Sequence, residues 1–186
     1  MTVLSNANES IFIRKAVLSD SNAIYQLMRA VTDSLSNKSL FVCDDLEFVR
    51  NTIEKSGFAV VACTPKQQIV GSFLFRYPQD SADNLGRDIG MPDELLSKVV
   101  HAESVVVLPE YRGMGLHAKM LAFGESLIDP AHYNCFLTTV SPENPASFRS
   151  FEKCGYELVL TKEKYGGLLR RIYKKRLTIS CKPPIS

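Results

Sequence analysis

Hydrophobic and polar positions change period several times along this chain, and each change marks an element. Residues 11–15, Ile-Phe-Ile-Arg-Lys, read as an opening strand. Ser19 and Asp20 offer N-cap chemistry before Ile24, Leu27, Met28 and Val31, which share one helical face. A polar connection over 34–38 leads to a second helix. Its start is marked by Asp44 with Glu47 three residues on, its face by Leu46, Val49 and Ile53, and its end by Gly57. Two apolar runs, 58–63 and 68–75, flank Thr64-Pro65-Lys66-Gln67 and predict a hairpin. Residues 77–100 are irregular and rich in acid, a length of loop that usually serves function or stays mobile.

The central stretch, 101–118, predicts strand, tight turn and helix. Glu103, Val105 and Val107 alternate with Ser104 and Val106, and Pro109 has no N–H to continue a ladder. Arg112-Gly113-Met114-Gly115 then supplies two residues free to take positive φ. Leu116, Met120, Phe123 and Leu127 form a helical stripe that stops before Pro130. A helix opening from a glycine turn bares N–H groups at the positive end of its dipole, which suits a phosphate. The turn is not a P-loop, since no Gly-Lys-Ser/Thr follows, and it lacks the third glycine of a dinucleotide fingerprint. Beyond it, 134–140 reads as a strand and 141–154 as turn plus helix, with Asn144 as N-cap, Pro145 at the first helical position and Gly155 just past the end. Strands over 156–160 and 168–177 join across Gly166-Gly167. The order is β, two helices, a β hairpin, then β–α–β–α–β–β, an α/β mixed sheet with crossover helices on its faces.

Two motifs within this order resemble a known family. Val107-Leu108-Pro109 followed by Arg112-Gly113-Met114-Gly115-Leu116-His117 resembles the acyl-CoA signature of the GNAT superfamily of N-acetyltransferases, Val-x-Pro and then Arg/Gln-x-x-Gly-x-Gly/Ala. Residues 144–156, with Asn144 opening a helix, Phe151 seven residues later and Lys153-Cys154-Gly155-Tyr156 closing it, resemble the second hallmark of that family. The likeness spans roughly residues 11–177 of a single 1–186 domain. It implies the GNAT fold: a mostly antiparallel sheet with helices on both faces, split between the strands that precede the two signature helices. It also implies acetyl-CoA as co-substrate, its pantetheine arm lying along Val105, Val106 and Val107. The pyrophosphate would rest on the N–H groups of Gly113, Met114, Gly115, Leu116, His117 and Ala118, with Arg112 adding charge and Asn144 lining the far wall. The implied reaction is direct attack on the thioester, in a ternary complex, by a primary amine of a small molecule or peptide.

An alkylammonium resembling Lys has a pKa of about 10.4, so a base must remove its proton. Family members often carry that base early on the strand before the glycine turn, where His101 and Glu103 both match. They are two residues apart and share a face. His is nearer its working pKa, whereas Glu103 is closer to Val105. Three positions depart from the family pattern. His117 stands at a small-residue position, and Phe151 where many members place a Tyr thought to protonate the leaving thiolate. Thr139 stands where some N-terminal-amine acetyltransferases carry Glu. The first two leave a rival reading, an acyl-CoA sensor or regulatory module without turnover.

Composition narrows the setting. With 45% hydrophobic and 23% charged residues, the chain reads as an ordinary soluble domain. No apolar run approaches a membrane span, and the first ten residues lack the regions of a signal peptide. Cys43, Cys63, Cys135, Cys154 and Cys181 are scattered singly, the usage of a reduced cytoplasmic protein with neither disulfide framework nor metal site. Net charge is +2, yet from Lys162 onward eight residues are basic and only Glu163 is acidic. That run reads as a solvated, charged strand edge rather than a nucleic-acid surface. Exposed strands near the C-terminus suit a homodimer.

Overall fold

A computed structural model describes residues 10–177. Cys181 and residues 1–9 lie outside them. Seven strands form one sheet in the order β1-β2-β3-β4-β5-β7-β6. They are β1 (Phe12–Lys15), β2 (Gly57–Cys63), β3 (Ile69–Arg76), β4 (Val99–Val107), β5 (Cys135–Val140), β6 (Glu157–Lys164) and β7 (Leu168–Arg176). Every pairing is antiparallel except β4 with β5, whose connection carries a crossover helix. The central strands β2 and β3 are buried almost end to end, which explains their unbroken apolar sequence.

Helices cover both faces. On one, α1 (Ser21–Ser34) lays Ile24, Leu27, Met28 and Val31 against Ala59, Val61 and Leu74, joined by Val49 of α2 (Leu46–Asn51). Burial of those four α1 side chains contributes about 1.5–3 kcal/mol each. On the other, α5 (Leu116–Ser126) packs Leu116, Met120 and Leu121 on Phe58, Phe73 and Phe75, with Phe151 of α6 (Pro145–Lys153) completing the cluster. Gly124 permits a close approach of α5 to the sheet. A Cβ there would lie 2.2 Å from carbons of the Phe75 ring.

Several elements differ from the sequence expectation. The second helix begins one residue later, because Asp45 rather than Asp44 accepts the cap bond, from the Phe48 N–H. Asp20 makes no cap. Its carboxylate accepts from Arg14 and from the Val17 N–H. The segment 77–100 holds two single-turn helices, α3 (Leu85–Asp88) and α4 (Asp93–Leu96), too short for a periodic signal. Three of its five acids are taken up by the protein's own cations: Asp83 by Arg76, Asp93 by Arg87, and Asp88 by Lys162 and Lys164. The basic final strand is no edge, since β7 runs between β5 and β6. Its charges also turn to local partners, Lys175 to Glu125 and Arg171 to the Phe148 ring.

Candidate functional site

The strand pair carrying the sheet's one parallel ladder holds together only briefly. Val99 pairs with Cys135, Val100 with Phe136 and His101 with Leu137, after which β4 and β5 part. At the point of parting, β4 carries an extra residue relative to β3: Phe75 faces Ala102 while Phe73 faces Val105. Such a bulge bends the strand and re-aims side chains, here Glu103 and Ser104. The gap opens into a cavity of about 670 Å³, walled by residues 103–107 on one side and 138–141 on the other.

One end of the cavity is the glycine turn. Gly113 and Gly115 sit at φ +81° and +71°, where side chains with a Cβ are strained. A Cβ at Gly113 would meet nothing within 4 Å, so the backbone angle and not crowding demands glycine. Gly115 is the N-cap of α5 and offers no side chain to its first amides. Those amides and the helix dipole aim at the space beside Arg112, whose Nε donates to the Val107 carbonyl at 3.3 Å.

The far wall is α6. Asn144 Oδ1 accepts from the Ser147 N–H at 3.1 Å and Pro145 holds the first helical position, as the sequence predicts. His117 turns inward from α5, its Nδ1 2.8 Å from Ser150 Oγ and its ring edge-on to Phe151 at 4.7 Å. Burial pushes its pKa down to about 4, so the ring is neutral and lends no charge to an anion. Its Nε2 is buried without a hydrogen-bond partner among the described residues.

At the other end, charged groups converge. The Leu85 N–H donates to His101 Nε2 at 3.0 Å, so the imidazole proton sits on Nδ1, 3.2 Å from Glu103 Oε2. Arg76 Nε donates to the same carboxylate oxygen at 3.1 Å. Burial alone would raise the Glu103 carboxyl, but His101 and Arg76 outweigh it and hold it below the usual carboxylate range. Asp44 stands opposite, accepting a short bond from the Ser104 hydroxyl. Its surroundings differ: burial dominates, with the Glu103 charge adding to it, and pushes its pKa up to about 6. Tyr165, 3.1 Å from Thr139 Oγ1, and the buried Arg170 complete this end.

Glu103, Val105, Val106, Val107, Arg112, Gly113, Gly115, Leu116, His117 and Asn144 all line the cavity. Met114 and Ala118 do not, and His101 stands behind Glu103 with its second nitrogen already occupied. Sequence reasoning misses Asp44, Tyr165 and Arg170. Asp44 reads as a helix cap beside Asp45, and Arg170 is hidden in a basic run. Only the tandem acid, with one member surplus to the cap, offers a signal.

A family model described as "Acetyltransferase (GNAT) family" matches residues 23–156. A comparison with curated protein sequences finds no match. Among solved structures, yncA from Salmonella typhimurium, determined with its cofactor acetyl-CoA, superposes with a TM-score of 0.65 at 19% identity, over 95% of this chain and 99% of its own. A phosphinothricin acetyltransferase from Sinorhizobium meliloti in complex with AcCoA gives 0.66 at 18%, over 90% and 88%. Aminoglycoside acetyltransferase AAC(6')-Ib, in complex with coenzyme A and kanamycin, gives 0.65 at 18%, over 90% and 95%. These likenesses establish the shared fold.

Proposed function

The chain belongs to the GNAT acetyltransferase family, and on that premise we propose that it is an acetyl-CoA-dependent N-acetyltransferase acting on a primary amine of a small molecule or peptide. One observation carries the reading: the glycine turn and the two cavity carboxylates open into a single space between β4 and β5. The residues fit the co-substrate. Gly113, Gly115 and the first amides of α5 would hold its diphosphate, with Arg112 alongside. The β4 edge past His101, which has no ladder partner in β5, would take the pantetheine amides as an added strand would. Acetyl-CoA supplies an activated acetyl thioester.

The chain's own groups divide the remaining work. Glu103, kept ionised by Arg76 and His101, attracts an ammonium but is a weak base because its pKa is low. Asp44, at about 6, is matched to proton removal near neutral pH. His101 positions Glu103, because its one unprotonated nitrogen is bound to the Leu85 N–H. The freed amine then attacks the carbonyl carbon and the new C–N bond forms; the nitrogen releases its second proton to water as the C–S bond breaks with its electron pair leaving on sulfur. A thiolate near the Cys value of about 8.5 leaves without obligatory protonation, so Phe151 in place of a tyrosine is tolerable.

Incubation with acetyl-CoA and a diverse amine panel is expected to release free thiol. CoA binding by calorimetry, with silence across the panel, would refute the enzyme in favour of an acyl-CoA-binding module.

A further inference from the structure

Among the described residues Arg170 is the one fully buried arginine, and it lacks a carboxylate. Arg14 pairs with Asp20, and Arg76 pairs with Glu103 and Asp83. Arg170 is 4% exposed. Its Nη2 donates to the Ser39 carbonyl at 2.7 Å and its Nη1 to the Leu169 carbonyl at 3.0 Å. Its guanidinium lies 5.9 Å over the Tyr165 ring. No carboxylate among the described residues lies within the 4.0 Å of an ion pair with it. Two carbonyl bonds occupy two of a guanidinium's five donors. A buried cation without counter-charge is costly, and burial here weakens its hold on its proton.

Arg170 also lines the cavity that holds Asp44 and Glu103. Tyr165 bridges the groups. Its phenol lies 3.1 Å from Thr139 Oγ1, and the charges of Glu103, Arg170 and Asp44 all act on it. A single acceptor space therefore offers two anionic groups and one uncompensated cation. A simple amine satisfies only the first. A planar guanidinium is the donor best matched to a carboxylate, by two parallel N–H···O bonds.

Resting on the acetyl-transfer reading, we propose that the acceptor is a small aminocarboxylate such as a free amino acid, its ammonium held by Glu103 and Asp44 and its carboxylate by Arg170. The substrate carboxylate supplies the missing counter-charge. An ester, amide or decarboxylated analogue leaves the guanidinium buried and unpaired.

The test uses the full chain, acetyl-CoA and matched triplets, each an amino acid, its carboxamide and its decarboxylated amine, across several side chains. An amine beside an amide titrates near that of a peptide α-amino group, about 7.7–8.0, so basicity favours the carboxamide and cannot produce a preference for the acid. The acid is expected to show kcat/KM at least ten-fold above both analogues. Arg170→Gln should lose that ratio by lowering turnover of the acid alone. Arg170→Lys should retain part of it, and both variants should bind CoA as the parent does. Equal turnover of all three compounds overturns the inference, as does an Arg170→Gln variant that slows all three equally and keeps the ratio. Either result leaves acetyl transfer standing. Failure to acetylate any amine in a wider panel overturns the transfer reading, and this one with it.

Discussion

Replacing Asp44 by Asn should make the protein more stable and less active. Asn keeps an oxygen to accept the Ser104 hydroxyl but carries no charge. In the folded protein the Asp44 pKa is raised from 3.8 to about 6. The folded state thus binds this proton more tightly than the unfolded chain does, and stability from this site is lost as pH rises from about 4 through 6. Ionising the group in place costs about 3 kcal/mol at neutral pH, at about 1.36 kcal/mol per decade. Linkage leaves about 1 kcal/mol of that at pH 4.5. For a chain of this length each kcal/mol moves Tm by about 2–4 °C, so Asp44→Asn should melt roughly 6–12 °C higher at pH 7.5, and the gap should shrink severalfold at pH 4.5. Thermal melts at both pH values measure it. Meanwhile kcat should drop by about 10² to 10⁴, the usual worth of a general base, and the acid limb of kcat/KM near pH 6 should disappear. A variant that melts lower at pH 7.5, or whose offset is the same at both pH values, refutes the burial argument. One that keeps full kcat refutes the catalytic role.

Three further outcomes follow from the same geometry. Arg76→Met leaves Glu103 without its guanidinium and should cost about 3–5 kcal/mol in urea titrations at pH 7.5. Because the Glu103 pKa is depressed in the folded state, the gap from the parent should narrow as pH falls and the carboxylate protonates. Gly115→Val forces a branched side chain to φ +71° where the amides must converge, and CoA affinity by calorimetry should fall at least ten-fold. His117 resists protonation down to about 4 whereas the unfolded chain takes it up near 6.5, so stability falls as pH drops through that window. His117→Leu should remove up to about 2.5 kcal/mol of this acid sensitivity, read from denaturant midpoints at pH 7 and pH 4.5.

The parts of the fold legible in the sequence are those where local chemistry and tertiary role agree. Asn144, Pro145 and Gly155 bound α6 as their side chains dictate, and the Gly113/Gly115 turn opens α5. The parting of β4 and β5 follows from the family resemblance. What stayed hidden depends on contacts distant in sequence. Asp44 passes for a helix cap because its partner, Ser104, lies sixty positions away. The pairing of Asp83 and Asp88 within 77–100 stays hidden because Arg76, Lys162 and Lys164 arrive from other strands. The tautomer of His101 is set by a backbone amide in α3, a single helical turn that carries no periodic signal.

Gly124, on the sheet-facing side of α5 against the Phe75 ring, acts as the gauge that sets how high that helix rides above the sheet. Nine residues away, the same rigid rod ends in the amides that on the proposed reading would grip the anion, so one methyl at Gly124 would tilt the far end like a shim beneath a lever. Ligand grip would then be tuned from below the helix as well as at its mouth, and a screen confined to cavity-lining positions would overlook it.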